Sequence, residues 1–274
     1  MNAPPKHADA FTPAEIAAKV ETLGVAKAHL PTFPLFVLAL LAGAFISLGA
    51  LFFTVVMTGA DMGFGMSRLI GGTSFCLGLV LVVVAGAELF TGNNLLAMAW
   101  ASRLISTREI LRNWILVYLG NVVGCIGTMV LVVWAGTDSL GNGSVHDTAL
   151  SIASAKTALP FGEAFARGIL CNALVCLAVW LAMGGRSVTD KILAVLFPVT
   201  AFVALGLEHS IANWFFLPYG YALNPELISI AGALKNLLAV TLGNLVGGSL
   251  LVAGVYWSAY LRGSTSHETT PPSP

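Results

Sequence analysis

Six long apolar stretches, separated by short segments that hold nearly all of the charge, set the plan of this chain: Phe33 to Met57, Leu69 to Phe90, Trp114 to Ala135, Phe165 to Met183, Ile192 to Tyr219 and Leu237 to Tyr260. An α-helix needs about 20 predominantly apolar residues to cross a hydrocarbon layer, so each stretch predicts a membrane-spanning helix. Ahead of the first, Thr12-Pro13-Ala14-Glu15 supplies a capping hydroxyl, a proline at the first helical position and a reciprocal glutamate. That combination predicts a helix from about Pro13 to Ala28 with Ile16, Val20 and Leu23 on one face. Too short and too polar to span, it is expected along the cytoplasmic surface, against lipid or against the protein's own pore mouth. The chain thus divides into an N-terminal segment (1–32), a six-helix membrane domain (33–262) and a tail (263–274) whose Ser, Thr and Pro content reads as disorder.

Composition then removes whole classes. With 57% hydrophobic and 9% charged residues, the chain lies far from the soluble average of roughly 25% charged, and the lipid bilayer is its solvent. The few charges sit in loops, so their sum of zero says nothing about nucleic acid, and for a membrane-embedded chain no nucleic-acid partner is expected. No short apolar leader precedes the first span, which is expected to direct insertion itself. Cys76, Cys125, Cys171 and Cys176 all fall within spans, without a Cys-x-x-Cys pair or clustered histidines. They read as small buried residues, and neither a metal nor another cofactor is expected.

Lys and Arg report orientation. One side carries Lys6, Lys19, Lys27, Arg103, Arg108, Arg112, Arg186, Lys191 and Arg262; the other carries Arg68, Lys156, Arg167 and Lys235. The excess marks the cytoplasmic side and places both termini there.

The spans repeat. Asn113-x6-Gly120-Asn121-x-Val123-Gly124 in the third recurs as Asn236-x6-Gly243-Asn244-x-Val246-Gly247 in the sixth, and Gly86-Ala87-Glu88 in the second recurs as Gly206-Leu207-Glu208 in the fifth. Three spans per repeat is an odd number, so repeats at about 33–135 and 160–262 must insert in opposite senses about a pseudo-twofold axis in the membrane plane. Within the second and fifth spans, Thr91-Gly92-Asn93-Asn94 and Ser210 to Asn213 are helix breakers and caps. Both spans are predicted to be half-helices joined by irregular backbone, which is tolerated at that depth only where it lines a cavity or is buried in protein. The N-termini of such half-helices favour anions.

Ionisable groups at membrane depth are costly and mark functional sites. His209 is the one histidine of five within a span, next to a helix break and to Glu208. Glu88 and Glu208 are expected to shape the interrupted segments by accepting backbone N–H groups, with Asn121, Asn213 and Asn244 as further loop-structuring residues.

At these residues the chain closely resembles the formate/nitrite transporter family of pentameric anion channels, through Gly86-Ala-Glu-Leu-Phe-Thr91, Asn113-Trp114 with Gly120-Asn121, Cys171-Asn172-x-Leu-Val-Cys-Leu-Ala-Val-Trp180, Gly206-x-Glu-His-Ser-Ile-Ala-Asn213 and Thr241-x-Gly-Asn-x-x-Gly-Gly248. The resemblance runs from about Phe36 to Arg262. It implies an all-α, aquaporin-like bundle of six helices, with helices 2 and 5 broken, one pore in each protomer and five protomers in a multi-pass assembly of a prokaryotic inner membrane. It also implies site roles: Thr91 opposite His209 at mid-pore, Asn172 steadying the imidazole, Lys156 drawing anions into the outer vestibule, and Phe75, Leu79, Leu89 and Phe202 as hydrophobic constrictions. Without the resemblance, Lys156 reads as a solvated lysine and the four apolar residues as core or lipid-facing positions.

The chemistry follows. An apolar ring offers a small carboxylate no hydrogen bonds in return for lost hydration, whereas the protonated acid crosses it readily. His209 either passes a proton to the substrate or only hydrogen-bonds it; its residue type suits both near neutral pH. Formate is favoured over nitrite and hydrosulfide because the Glu88 to Asn94 run and the turn at Gly185 to Lys191 resemble formate channels more than nitrite ones. A neutral-solute channel is the weaker alternative, since Asn-Pro-Ala motifs and paired pore histidines are missing from the sequence. An enzyme is not expected, because Glu88, Glu208 and His209 are spread over two distant segments.

Overall fold

The computed structural model describes residues 10–262; the expected disordered tail lies outside them. Every element among the described residues is helical. The capping box at Thr12 opens α1 (Pro13–Ala28) as the sequence predicts. α2 (Thr32–Met57) and α5 (Thr107–Trp134) are continuous. Between them α3 (Phe64–Val80) widens into a π-wound turn over Leu81–Gly86, and after an extended break a 3₁₀ turn (Gly92–Leu96) leads into α4 (Ala97–Ala101). The second half runs through α6 (Ser144–Ala158), α7 (Phe161–Gly184), α8 (Val188–Ala204), α9 (Ser210–Leu223) and α10 (Ile230–Leu245), which continues π-wound through Val246–Gly254 into α11 (Val255–Tyr260).

Five helices among the described residues are long and apolar enough to cross a membrane: Thr32–Met57, Phe64–Gly86, Thr107–Trp134, Phe161–Gly184 and Ile230–Tyr260. Over Ile192 to Tyr219 the chain forms two shorter helices, α8 and α9, neither long enough to appear among the five. α8 stops because Gly206 turns into the left-handed region at φ +70°, and Leu207 N–H closes back on Phe202 O. α6 was not predicted at all. Its residues are short and polar, with no apolar period long enough to stand out, yet it carries Lys156.

Within the first half α2 lies along α5 and α3, and within the second α7 lies along α10 and α8; α3 packs on α8, and α5 on α9, across the two. The recurring glycines let backbones touch: a Cβ at Gly124 would collide with the carbonyl of Leu40, and one at Gly247 with the carbonyl of Ile169. One apolar core joins α2, α3, α5, α7, α8 and α9; a second lies under α1, where Ile16, Ala17 and Val20 meet Leu95, Leu96 and Trp180. Large apolar side chains such as Phe33, Trp134, Phe197 and Leu250 point outward, as they do in proteins whose outer surface meets lipid or another subunit.

Candidate functional site

The two interrupted stretches are built on one scheme. Extended backbone at Glu88 donates its N–H to Leu38 O of α2, and at Glu208 to Arg167 O of α7. Backbone without helical bonds must be satisfied another way when buried, and two fully buried asparagines do it. Asn121 accepts from Phe90 N–H at 2.9 Å and donates to Ala39 O and Glu88 O; Asn244 accepts from Ser210 N–H at 2.9 Å and donates to Gly168 O and Glu208 O.

Each glutamate anchors a second matched network. Glu88 accepts from Asn93 Nδ2 at 2.7 Å and pairs with Lys27 at 2.9 Å, while Asn93 also donates to Asn113 Oδ1, and Asn113 to Lys27 O. Glu208 accepts from Asn213 Nδ2 at 2.7 Å and pairs with Lys156 at 2.8 Å; Asn213 donates to Asn236 Oδ1, and Asn236 to Lys156 O. The glutamates were expected to receive backbone N–H groups. They receive side-chain amides and lysines instead, because the asparagine carbonyls at 121 and 244 already take the neighbouring backbone donors.

Two cavities open on either side of these networks. The first, about 360 Å³, is walled by Val20, Leu23 and Lys27 of α1, by Leu79, and by Glu88, Leu89 and Asn93. The second, about 420 Å³, is lined by Phe53, Arg68, Phe75, Lys156, Arg167, Phe202, Glu208 and His209. Thr91 lines neither. Leu89 and Gly92 beside it face the first cavity, and His209, to which it bonds, faces the second, so Thr91 belongs to the septum between them.

His209 caps α9: its Nδ1 accepts the Ala212 N–H at 3.1 Å. An accepting Nδ1 carries no proton, so the ring hydrogen is on Nε2. Nε2 lies 3.1 Å from Thr91 Oγ1 and is the donor of that bond. Phe202 stacks on the imidazole with ring centroids 6.0 Å apart, and Phe75 meets Phe202 edge-on at 5.6 Å. Thr91, His209, Phe75, Leu79, Leu89 and Phe202 are each at most 3% exposed. Around this hydroxyl and imidazole the four apolar side chains Phe75, Leu79, Leu89 and Phe202 are buried, while the polar Asn94, Asn172 and Ser210 are buried in the surrounding segments.

Two of the expected residues have partners that the sequence did not name. Asn172 makes no hydrogen bond to His209 among the described residues; its Nδ2 lies within reach of Thr91 O (3.3 Å), Asn94 Oδ1 (2.7 Å) and Asn244 O (2.7 Å). It steadies the segment that carries Thr91 through that residue's carbonyl. Lys156, expected to draw anions into the vestibule, lines the second cavity with its side chain 14% exposed and 2.8 Å from Glu208. The sequence reading also missed Lys27, Asn93, Asn113 and Asn236 as network members. The shared five-residue spacing of Glu88 to Asn93 and Glu208 to Asn213, and the asparagine that opens each repeated pattern, were the available signals.

Comparison with known proteins agrees with this architecture. The family model for "Formate/nitrite transporter" matches residues 14–258. The chain is 41% identical to the "Formate channel FocA" of Escherichia coli (strain K12), over 94% of this chain and 98% of that one. It is 38% identical to a "Probable formate transporter" of Methanothermobacter thermautotrophicus, over 92% and 97%. Among solved structures, a "Pentameric formate channel with formate bound" superposes with a TM-score of 0.78 at 40% identity, covering 84% of this chain and 98% of that one. A match over nearly the whole length, at this identity and with this fold, means that the chain belongs to the formate/nitrite transporter family.

Proposed function

We propose that the protein is a channel for small monovalent anions, formate first, and that the path joins the two cavities through the septum at Thr91 and His209. Nitrite and hydrosulfide are the alternative cargoes. The assembly is a homopentamer in a prokaryotic inner membrane with both termini cytoplasmic, and each protomer is a six-span inverted repeat whose second and fifth spans are interrupted. The matched asparagine and glutamate networks support the repeat, and formate channels among the relatives support the cargo and the pentamer.

One observation carries the mechanism: an N–H donor, His209 Nε2, is held among buried apolar side chains and occupied by Thr91 Oγ1. A passing carboxylate exchanges places with that hydroxyl. It accepts the Nε2–H bond, and Thr91, free to rotate its own O–H, donates to the second oxygen. Lost hydration is thus partly replaced at the point where the apolar walls of Phe75, Leu79, Leu89 and Phe202 withhold it. Full proton transfer needs the doubly protonated ring, because a neutral imidazole giving up its Nε2 proton would be left as an imidazolate. Protonating Nδ1 would break the bond to Ala212 N–H and uncap α9. In this geometry His209 acts as a hydrogen-bond donor.

The test is uptake of labelled formate into proteoliposomes by wild type and His209→Phe. Phenylalanine keeps the ring volume and stacking but removes the donor, so flux is expected to fall by at least about tenfold, the equivalent of about 1.4 kcal/mol at the barrier, while the pentamer remains intact by size. Wild-type flux in the variant would overturn the role. A neutral solute of similar size serves as the control for nonselective leak.

A further inference from the structure

We infer that Arg68 is the anion-docking group of the second cavity, a carboxylate subsite ahead of the septum, and that Lys156 is not. The inference rests on the channel reading above and concerns where the anion first binds.

Three cations line that cavity: Arg68, Lys156 and Arg167. Two of them are already paired. Lys156 Nζ lies 2.8 Å from Glu208, and Arg167 Nη2 lies 3.3 Å from Glu163 one helical turn earlier. A paired charge attracts a passing anion weakly, because its field is largely cancelled a few ångströms away. Arg68 has no carboxylate within salt-bridge distance among the described residues. Its Nε donates to Ala204 O at 2.9 Å and its Nη2 to Val203 O at 2.6 Å. Those bonds fix the guanidinium without neutralising it, and they leave both Nη1–H groups and one Nη2–H without a partner among the described residues. A fork of N–H donors on a half-buried, rigidly held guanidinium matches a carboxylate in the bidentate mode.

The position adds a second reason. Val203 and Ala204 are the last residues of α8, whose C-terminal end carries a partial negative charge even though Val203 O also accepts the Gly206 N–H at 3.0 Å. That end borders the cavity through Val203, Gly206 and Leu207. Uncovered, it would repel the anion at the approach to His209. Arg68 covers both carbonyls and turns a repulsive surface into an attractive one. The first cavity has no counterpart to this arrangement: its lysine, Lys27, is paired with Glu88, and no arginine lines it.

Formate uptake at low substrate concentration, measured in proteoliposomes across a range of ionic strength, tests the inference with Arg68→Met and Arg68→Lys. Wild-type rates are expected to fall as salt screens the cavity. Arg68→Met should lower the rate at low formate by about threefold or more and flatten the salt dependence, with saturating flux little changed, since steering acts on encounter. Arg68→Lys keeps the charge but loses the two-carbonyl clamp, and should restore most of both. Loss of flux in both variants, independent of salt and accompanied by a lower melting temperature, would make Arg68 only a helix clamp and overturn the inference. So would wild-type behaviour of Arg68→Met. Should Arg68→Met fail to assemble, a wild-type rate that is flat with ionic strength would overturn it as well. A wild type that carries no formate at all refutes the channel reading itself, and is seen before any substitution is made.

Discussion

Removing Lys156 should destabilise the protein far more than an ordinary surface lysine, and the structure sets the size. In Lys156→Met the Glu208 carboxylate keeps Asn213 Nδ2 at 2.7 Å and a long contact to Asn236 at 3.4 Å, but loses its only cation. The Glu208 side chain is 6% exposed, so water can reach it only from the second cavity, which it lines. Breaking a buried pair from one side typically costs about 3–5 kcal/mol, against about 0–1 kcal/mol for an exposed pair. Because the two amides remain, the lower end applies, and we expect about 3 kcal/mol. The matched pair allows an internal comparison: Lys27 and Glu88 are 28% and 9% exposed, so Lys27→Met should cost less, about 1–2 kcal/mol by the same reasoning. Glu208→Gln added to Lys156→Met removes the stranded charge and should recover about 2 kcal/mol. Equilibrium unfolding in mixed micelles, read by tryptophan fluorescence, compares Lys156→Met, Glu208→Gln and their double variant with wild type in one double-mutant cycle, with Lys27→Met measured beside it. A cost below about 1 kcal/mol for Lys156→Met, or a double variant as unstable as the sum of the singles, would refute the view that Glu208 depends on this lysine.

Two further substitutions test the septum and the packing. Thr91→Val keeps the shape but leaves His209 Nε2–H without its partner at 3.1 Å; stability should drop by about 1–3 kcal/mol and the formate-to-chloride flux ratio should fall, whereas an unchanged ratio would remove Thr91 from the path. Gly247→Ala places a Cβ against the backbone of Ile169, which cannot yield as a side chain would. A loss of about 1–3 kcal/mol in thermal or chemical unfolding is expected, with Gly127→Ala, where nothing lies within 4 Å, as the neutral control.

By itself the sequence determined what the bilayer dictates. Helices were legible because hydrocarbon forces every backbone group into internal bonds, so apolar length alone predicts them; α2, α5 and α7 stand where their apolar runs do. The capping box fixed the start of α1, since that signal is local in the chain. His209 and Thr91 stood out because a titratable ring and a helix breaker are anomalous in an apolar stretch, and the repeated Gly-Asn patterns marked Asn121 and Asn244. The tertiary structure decided what depends on partners distant in sequence. Lys156 looks solvated until α6 folds it against Glu208, 52 residues away, and Lys27 looks like one more orienting charge until α1 closes on Glu88. Asn172 was assigned to the wrong neighbour, because a helix position gives direction but not reach. Arg68 read as a stray positive charge until its guanidinium was found over the end of α8. Charge pairing is a property of distance and burial, and neither is written in the order of residues.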